Sequence, residues 1–290
     1  MEADFEKRSP NGSHETRYSG PFLRFSRIFR RGLRLTGLYQ LGVRNALKLR
    51  LNSFELYFED LPVAFDGFRI LHLSDLHVDG LRETVQAAAR LIEGLDADFC
   101  VFTGDYRARV SGPFDHIMPD MRYLFSQISA RRGIYAVLGN HDCADMVDAL
   151  EELGAVVLIN EYASVGIGES VIHFVGTDDV HYYYTDAARE TLETAPEGFK
   201  IALVHSAEIA DVAAENGFQL YLTGHTHGGQ VSFPGGKPIF TRMARHRAFA
   251  SGLWNLDKMI GYTTAGVGVS VVPVRFNTRG EVALITLRRI

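Results

Sequence analysis

The feature that most constrains the fold is an alternation, from Ser53 onward, of short apolar runs with amphipathic helical stretches. The apolar runs end repeatedly in polar loops, which is typical of α/β proteins. The sequence therefore predicts one α/β domain over residues 51–290, with further strands after Gln230. The predicted strands are Phe68–Leu73, Phe99–Phe102, Ile134–Leu138, Val171–Val175, Ile201–Val204 and Leu220–Leu222. The predicted helices are Arg82–Glu93, Asp115–Ser129, Asp145–Leu153 and Ala207–Glu215.

Composition excludes several classes of protein. The chain has 290 residues, of which 46% are apolar and 22% charged, so it can bury one large core and is neither collagen-like nor disordered as a whole. Its two cysteines, Cys100 and Cys143, do not suggest a disulfide framework, so a reducing compartment is expected. No run approaches about 18 uninterrupted apolar residues, so no transmembrane helix is predicted.

The N-terminal segment is basic, whereas the whole chain is acidic. Residues 1–50 hold eleven lysines and arginines against four acidic residues, while the net charge of the chain is −5. Residues 1–20 are polar without periodicity and are predicted to be disordered. Residues 21–36 have the helical pattern of a membrane-interface helix, with an apolar face and a basic face. The apolar face holds Phe22, Phe25, Ile28, Phe29 and Leu33, and the basic face holds Arg24, Arg27, Arg30, Arg31 and Arg34.

Two interpretations of this basic amphipathic segment, residues 21–50, remain open at this point. One is attachment to an anionic membrane surface through residues 21–36, at the cytoplasmic face of the cell membrane. The other is a helix packed on its own domain. Arg30 and Arg31 resemble the start of a twin-arginine export signal, but Arg34 and Arg44 interrupt the apolar stretch that such a signal needs, so export is not expected.

Five polar loops follow predicted strands directly and present carboxylate, amide or imidazole groups. The carboxyl ends of strands are where open α/β sheets place their sites. Any one loop alone has an ordinary explanation as a turn or a helix cap, but five in order do not occur by coincidence. In an extended segment residues two apart point the same way, so Asp75 with His77, and His225 with His227, are expected to aim at one locus. The loops are Ser74-Asp75-Leu76-His77, Thr103-Gly104-Asp105, Gly139-Asn140-His141-Asp142, Val204-His205-Ser206 and Gly224-His225-Thr226-His227.

The ordered set Asp-x-His, Gly-Asp, Gly-Asn-His-Asp, His and Gly-His-x-His resembles the calcineurin-like metallophosphoesterase superfamily. The stretch Gly-His-Thr-His-Gly-Gly-Gln at residues 224–230 is similar to a bacterial branch that contains general phosphodiesterases and a UDP-2,3-diacylglucosamine hydrolase. The resemblance spans roughly residues 68–235. It implies a four-layer α/β/β/α sandwich of two mixed sheets flanked by helices.

The resemblance also implies a role for each matching residue. His141 is expected to be catalytic, contacting the phosphoryl oxygens or protonating the leaving group. Asp142 either orients His141 or caps the next helix. In relatives the second loop continues differently, so Arg107 and Arg109 are only candidate substrate-binding residues. One metal ion is expected on Asp75, His77 and His227 and a second on Asn140, His205 and His225, with Asp105 bridging both.

The residue types agree with such a centre on independent grounds. Oxygen and imidazole ligands without thiolates suit Mn, Fe or Zn, so two such divalent ions per chain are expected. Two ions about 3.5–4 Å apart activate a water molecule and stabilise the attacking and leaving oxygens of a displacement. A metal-activated water replaces a serine or cysteine nucleophile, and the sequence contains no Gly-x-Ser-x-Gly elbow.

The sequence thus predicts a metal-dependent phosphohydrolase acting on a phosphodiester or nucleotide-lipid substrate. The activity favoured by the basic segment is cleavage of the pyrophosphate of UDP-2,3-diacylglucosamine in lipid A synthesis. The alternative is a general phosphodiesterase with another substrate. A non-catalytic scaffold is disfavoured because every expected ligand is present. Nucleic acid is not an expected partner, because residues 51–290 are acidic overall.

Overall fold

The computed structural model describes residues 21–181, 184–241 and 243–290, and for residues 21–23 it describes the backbone only. The tail predicted to be disordered, residues 1–20, lies outside the described residues. All six predicted strands and all four predicted helices are present, with ends shifted by a few residues. None of the helices in these ranges is long and apolar enough to cross a membrane.

The described residues contain seven α-helices and fourteen strands. The helices are α1 (Pro21–Leu35), α2 (Leu38–Ala46), α3 (Arg82–Ile92), α4 (Met118–Ser126), α5 (Met146–Glu151), α6 (Asp186–Glu193) and α7 (Ala210–Glu215). The strands are β1 (Arg50–Phe58), β2 (Arg69–Leu73), β3 (Asp96–Ala97), β4 (Phe99–Thr103), β5 (Ser129–Ala130), β6 (Ile134–Val137), β7 (Ala155–Val157), β8 (Glu161–Ile167), β9 (Ser170–Gly176), β10 (Phe199–Leu203), β11 (Leu220–Thr223), β12 (Gly252–Leu256), β13 (Met259–Thr263) and β14 (Glu281–Arg289).

Twelve of these strands form two six-stranded mixed sheets. The first sheet has the order β1-β14-β2-β4-β6-β7, in which β14 and β2 are antiparallel and the other neighbours are parallel. The second sheet has the order β12-β13-β11-β10-β9-β8, in which only the two edge strands β12 and β8 run antiparallel to their neighbours. Strands β3 and β5 form a separate short pair.

Side chains alternate between the two faces of each sheet, and this alternation builds the layers. Ile70 and Val101 of the first sheet pack with Ile201 and Leu222 of the second in the core between the sheets. On the outer face of the first sheet, Leu71, Leu73 and Phe102 pack against α3 and α4. On the outer face of the second sheet, Val175, Ala202 and Tyr221 pack against α6 and α7. The predicted four-layer α/β/β/α architecture is confirmed.

The N-terminal helices α1 and α2 pack on the domain rather than standing free. Leu33 of α1 is buried against Val272 and Val274, and Phe29 is partly buried beside them. Phe25 and Ile28 of α1 are 53% and 68% exposed. The expected single apolar face is therefore split into a sector that packs on the domain and a sector that faces solvent, because α1 meets the domain through only part of its circumference.

Candidate metal centre

The five predicted loops meet where their strands end. Strands β2, β4 and β6 are parallel neighbours in the first sheet, and β10 and β11 are parallel neighbours in the second. Each is followed within two residues by one of the loops, so their polar groups collect at the carboxyl ends of both sheets. The seven residues expected to be metal ligands are all buried, with relative exposures of 6% or less. Burial of this many carboxylate and imidazole groups requires a strong compensating interaction.

One half of the site is formed by Asp75, His77 and His227. Their potential ligand atoms lie within 4.8 Å of one another. The Nε2 atoms of His77 and His227 are 3.0 Å apart, and His227 Nε2 is 3.4 Å from Asp75 Oδ1. Asp105 closes this half, with its Oδ2 at 3.4 Å from His77 Nε2.

The other half is formed by Asn140, His205 and His225. Asn140 Oδ1 lies 2.8 Å from His225 Nδ1 and 3.1 Å from His205 Nε2. His205 Nε2 is also 3.5 Å from the same Oδ2 atom of Asp105. A single carboxylate oxygen of Asp105 therefore faces both halves.

Five of the seven residues have a backbone conformation that residues other than glycine rarely adopt. The φ angles of Asp75, His77, Asp105, His225 and His227 are 51°, 38°, 60°, 67° and 53°. Such strain persists where the surrounding structure enforces it, and it clusters at functional sites. The extended conformation expected for the first and last loops is wrong, because their ligand residues lie in left-handed turns. His225 and His227 do meet at one buried site, but they lie in opposite halves of it.

The hydrogen bonds of His77 and His205 indicate which ring nitrogen of each is available to a metal ion. His77 Nδ1 lies 2.9 Å from the carbonyl of Arg107, and His205 Nδ1 lies 2.7 Å from the carbonyl of Thr103. A carbonyl only accepts, so each Nδ1 carries a proton and donates it, and in the neutral ring each Nε2 is a bare lone pair. The Nε2 atoms of His77 and His205 lie 3.4 and 3.5 Å from Asp105 Oδ2, so a positive charge between each ring and the carboxylate is favourable. A proton can supply it at His205: burial acts to lower the pKa of His205, but the charge of Asp105 outweighs burial and raises that pKa well above its usual range. A metal ion would displace this proton and leave the neutral ring with its remaining proton on Nδ1. This tautomer, fixed by a backbone carbonyl, is the one that metal-ligating histidines use.

Burial and neighbouring charges also shift the pKa values of Asp75, Asp105 and His227. Burial raises the pKa of Asp75, and the neighbouring charge of Asp105 adds to the rise while His205 opposes it. Burial also acts to raise the pKa of Asp105, but the imidazoles of His205 and His141 outweigh it and hold the pKa well below its usual range. Burial and His77 hold the pKa of His227 well below its usual range, so its ring is neutral and able to bind a metal. The donor set fits divalent metal ions.

His141 lies at the side of this cluster. Its Nδ1 is 2.7 Å from the carbonyl of Ala108, and its Nε2 is 3.9 Å from Asp105 Oδ2, farther than the corresponding atoms of His77 and His205. The backbone N–H of His141 donates to Asp105 Oδ1 at 2.8 Å. The loop therefore ties His141 to the cluster while its ring faces a neighbouring pocket.

The two arginines of the second loop have different surroundings. Arg107 is buried, and its guanidinium donates to the carbonyls of His141, Val110 and Gly112. These bonds use its donors within the protein, so Arg107 supports the loop that carries His141 and does not face substrate. The side chain of Arg109 is 71% exposed and pairs with Asp79 at 3.5 Å. Of the two candidate substrate-binding residues, only Arg109 is placed to meet a ligand.

Asp142 joins two of the loops. Its carboxylate accepts from the backbone N–H groups of Asp105, Tyr106 and Gly139, at 2.7, 2.9 and 2.8 Å. It does not cap the next helix, because Asp145 occupies the cap position of α5. Burial, and next the charge of Asp105, raise the pKa of Asp142 to about 7. Asp142 thus positions Asp105 through its backbone.

Replacing Asp142 with alanine is expected to destabilise the protein by about 3 kcal/mol or more, because three buried N–H donors lose their acceptor. The measurement is urea unfolding of the metal-free protein, so that metal binding does not contribute. The matched control is Asp145→Ala, because the Asp145 side chain makes no cap hydrogen bond and its loss is expected to change stability by less than about 0.5 kcal/mol. Equal losses in the two variants would contradict the role given to Asp142.

One structural support was missed from the sequence. Arg275 is fully buried and donates to the backbone carbonyls of His227, Ala265, Gly266 and Gly268. Burial lowers its pKa to about 10, so it stays charged at neutral pH. These hydrogen bonds join the last ligand loop, which contains His227, to the residues that follow β13. Arg275 belongs to none of the sequence motifs described above, so its supporting role becomes visible only in the structure.

Comparisons with known proteins agree with this geometry. The family model described as calcineurin-like phosphoesterase matches residues 68–229. The chain is 27% identical to the uncharacterised metallophosphoesterase YkuE of Bacillus subtilis, over 79% of this chain and 82% of that relative. It is 27% identical to the metallophosphoesterase YkoQ of the same organism, over 82% and 90% of the two chains. It is 26% identical to the phosphodiesterase YaeI of Escherichia coli, over 76% and 82%.

The fold and the site define a metal-dependent phosphoesterase. The family model covers more than half of the chain, so the chain belongs to the calcineurin-like phosphoesterase family.

Proposed function

We propose that this protein hydrolyses a phosphodiester or pyrophosphate bond with two divalent metal ions. The observation that carries the proposal is Asp105, whose Oδ2 faces His77 in one ligand set and His205 in the other. One ion would be held by Asp75, His77, His227 and Asp105, and the other by Asn140, His205, His225 and Asp105. Mn, Fe and Zn suit these ligands.

When bound, the two ions would activate a water molecule and neutralise charge on the phosphoryl oxygens. The chain supplies the remaining chemistry. His141 would donate a proton from Nε2 to the leaving oxygen, since its Nδ1–H on the Ala108 carbonyl stabilises the protonated ring. Arg107 would keep His141 in place through its bond to the His141 carbonyl. The test is hydrolysis of bis(p-nitrophenyl) phosphate before and after chelation, and activity that survives complete removal of metal would overturn the proposal.

The substrate would be linked to a lipid, because α1 exposes large apolar side chains close to the site. Phe25, Ile28 and Leu35 are exposed by 53%, 68% and 89%, and Arg24 lies beside them on the helix. Such a surface can insert apolar groups among acyl chains while arginine meets anionic head groups. UDP-2,3-diacylglucosamine, presented at the cytoplasmic face of the membrane, is the lipid nucleotide we propose to test first. Hydrolysis of soluble diesters with no activity on this lipid would favour a general phosphodiesterase.

The double variant Phe25→Asp/Ile28→Asp is expected to lower binding to anionic vesicles by at least about tenfold, because two apolar side chains no longer leave water. The measurement is co-sedimentation with vesicles of phosphatidylcholine and phosphatidylglycerol. The matched control is Val63→Asp, which makes the same kind of change at a residue that is 71% exposed and lies outside α1. If the double variant binds like the control, the membrane surface is not on α1.

A further inference from the structure

A pocket of about 510 Å³ opens beside His141. It lies between α1 and the loops of the candidate metal centre, so two distant parts of the sequence form its walls. Its charged lining comes from Arg27, Arg30, Arg109 and Asp79, and an apolar wall comes from Val269, Val271 and Pro273. Three arginines against one aspartate make this pocket cationic, and the low-dielectric wall strengthens the field inside it.

The three arginines differ in how far they are already engaged. Arg30 donates to the carbonyl of Val271 at 3.0 Å, which fixes α1 to the pocket wall. Arg109 pairs with Asp79, and the same carboxylate also accepts from the N–H of Ala108. Arg27 has no hydrogen bond or ion pair with any residue in the described part of the chain, and it lies on the pocket side of α1. The charge of Arg27 is therefore the most available to a ligand.

We propose that Arg27, with Arg109, binds a second anionic group of the substrate, next to the phosphoryl group that reacts beside His141. The inference rests on the proposed function and narrows it, because a pyrophosphate has such a second group and a simple diester does not. Guanidinium groups suit phosphate oxygens because their donors pair with two oxygens at once. α1 would then contribute directly to substrate selection, with Arg27 on its pocket side and Phe25 on its solvent side.

The experiment compares the binding of UDP and UMP to the manganese-loaded protein by calorimetry, since only UDP carries an additional phosphate. We expect the wild type to bind UDP at least about tenfold more tightly than UMP, which is the size expected for one charge-assisted hydrogen bond. Arg27→Gln should weaken UDP binding by about tenfold and UMP binding much less. Arg109→Gln should act in the same direction by a smaller factor, because Asp79 already neutralises part of its charge.

The matched control is Arg90→Gln, which removes the same charge from an exposed position on α3. It should leave the affinities for UDP and UMP unchanged. Equal UDP binding by Arg27→Gln and Arg90→Gln would overturn the inference, and so would equal losses of UDP and UMP affinity in Arg27→Gln. The proposed function is tested separately by wild-type hydrolysis of bis(p-nitrophenyl) phosphate. If that reaction depends on metal while Arg27→Gln keeps the UDP preference, only the inference about the second anionic group fails.

Discussion

Replacing Asp105 with alanine is expected to abolish metal-dependent hydrolysis. Asp105 Oδ2 lies 3.4 Å from His77 Nε2 and 3.5 Å from His205 Nε2, so its loss removes a ligand from both halves of the site. Metal ions contribute several kcal/mol of transition-state stabilisation, and each 1.36 kcal/mol is a factor of ten in rate, so we expect a loss of about 10³-fold or more. The metal content should fall from two ions per chain. Turnover and elemental analysis of the same sample measure both effects.

Asp105→Asn separates the charge of this side chain from its structural role. The amide oxygen can still accept the backbone N–H of His141, which Asp105 Oδ1 accepts at 2.8 Å, and asparagine tolerates the left-handed backbone at this position. The fold should therefore survive while the negative charge between the two halves is lost. Two tightly held ions and near wild-type turnover in either variant would show that Asp105 does not bridge the halves.

Replacing His141 with asparagine is expected to reduce turnover by about 10²–10⁴-fold, the usual contribution of a general acid or base. The metal content should stay at two ions per chain, because His141 Nε2 lies farther from Asp105 Oδ2 than the nitrogen atoms of His77 and His205. Asparagine is the sharper replacement, since its amide N–H can keep the bond to the Ala108 carbonyl that His141 Nδ1 makes. The decisive comparison is turnover against metal content in one preparation.

His141 is also close enough to His77 and Asp105 to serve as a ligand itself, because the three residues have ligand atoms within 4.8 Å of one another. The two roles give opposite results. A catalytic His141 leaves both ions bound in the variant, whereas a ligating His141 is lost together with an ion. Loss of metal from His141→Asn would move this residue into the metal centre and leave the proton donor unassigned.

The layers of the fold could be predicted because local sequence dictates them. Strands such as β4 and β10 are short, buried and largely apolar, with Lys200 the one charged residue of β10, and helices such as α3 show a clear amphipathic period. The edge strands are harder to predict from the sequence. β8, Glu161–Ile167, is largely exposed and has no continuous apolar run, so its pairing with β9 depends on the rest of the sheet. The antiparallel insertion of β14 beside β2 also depends on contacts that are distant in sequence.

The meeting of the five loops at one place could be predicted from their order along the chain, but their geometry could not. The left-handed turns at Asp75 and His225 depend on close packing against distant loops, which no local pattern specifies. Added side-chain atoms at Gly266 would approach Asp75 Cβ at 2.7 Å, and this contact joins residues almost two hundred positions apart. The contribution of α1 to the pocket beside His141 was likewise invisible, because helical periodicity describes a helix alone and not the surface it meets.

The most direct test of the two-metal centre is to titrate Mn²⁺ into chelated protein while measuring bound metal per chain and hydrolysis of bis(p-nitrophenyl) phosphate together. We expect no hydrolysis without metal and full activity only when two ions are bound per chain, because the ligand sets around His77 and His205 share Asp105. Hydrolysis by the metal-free protein, or full activity with a single bound ion, would show that this site is not a two-metal centre.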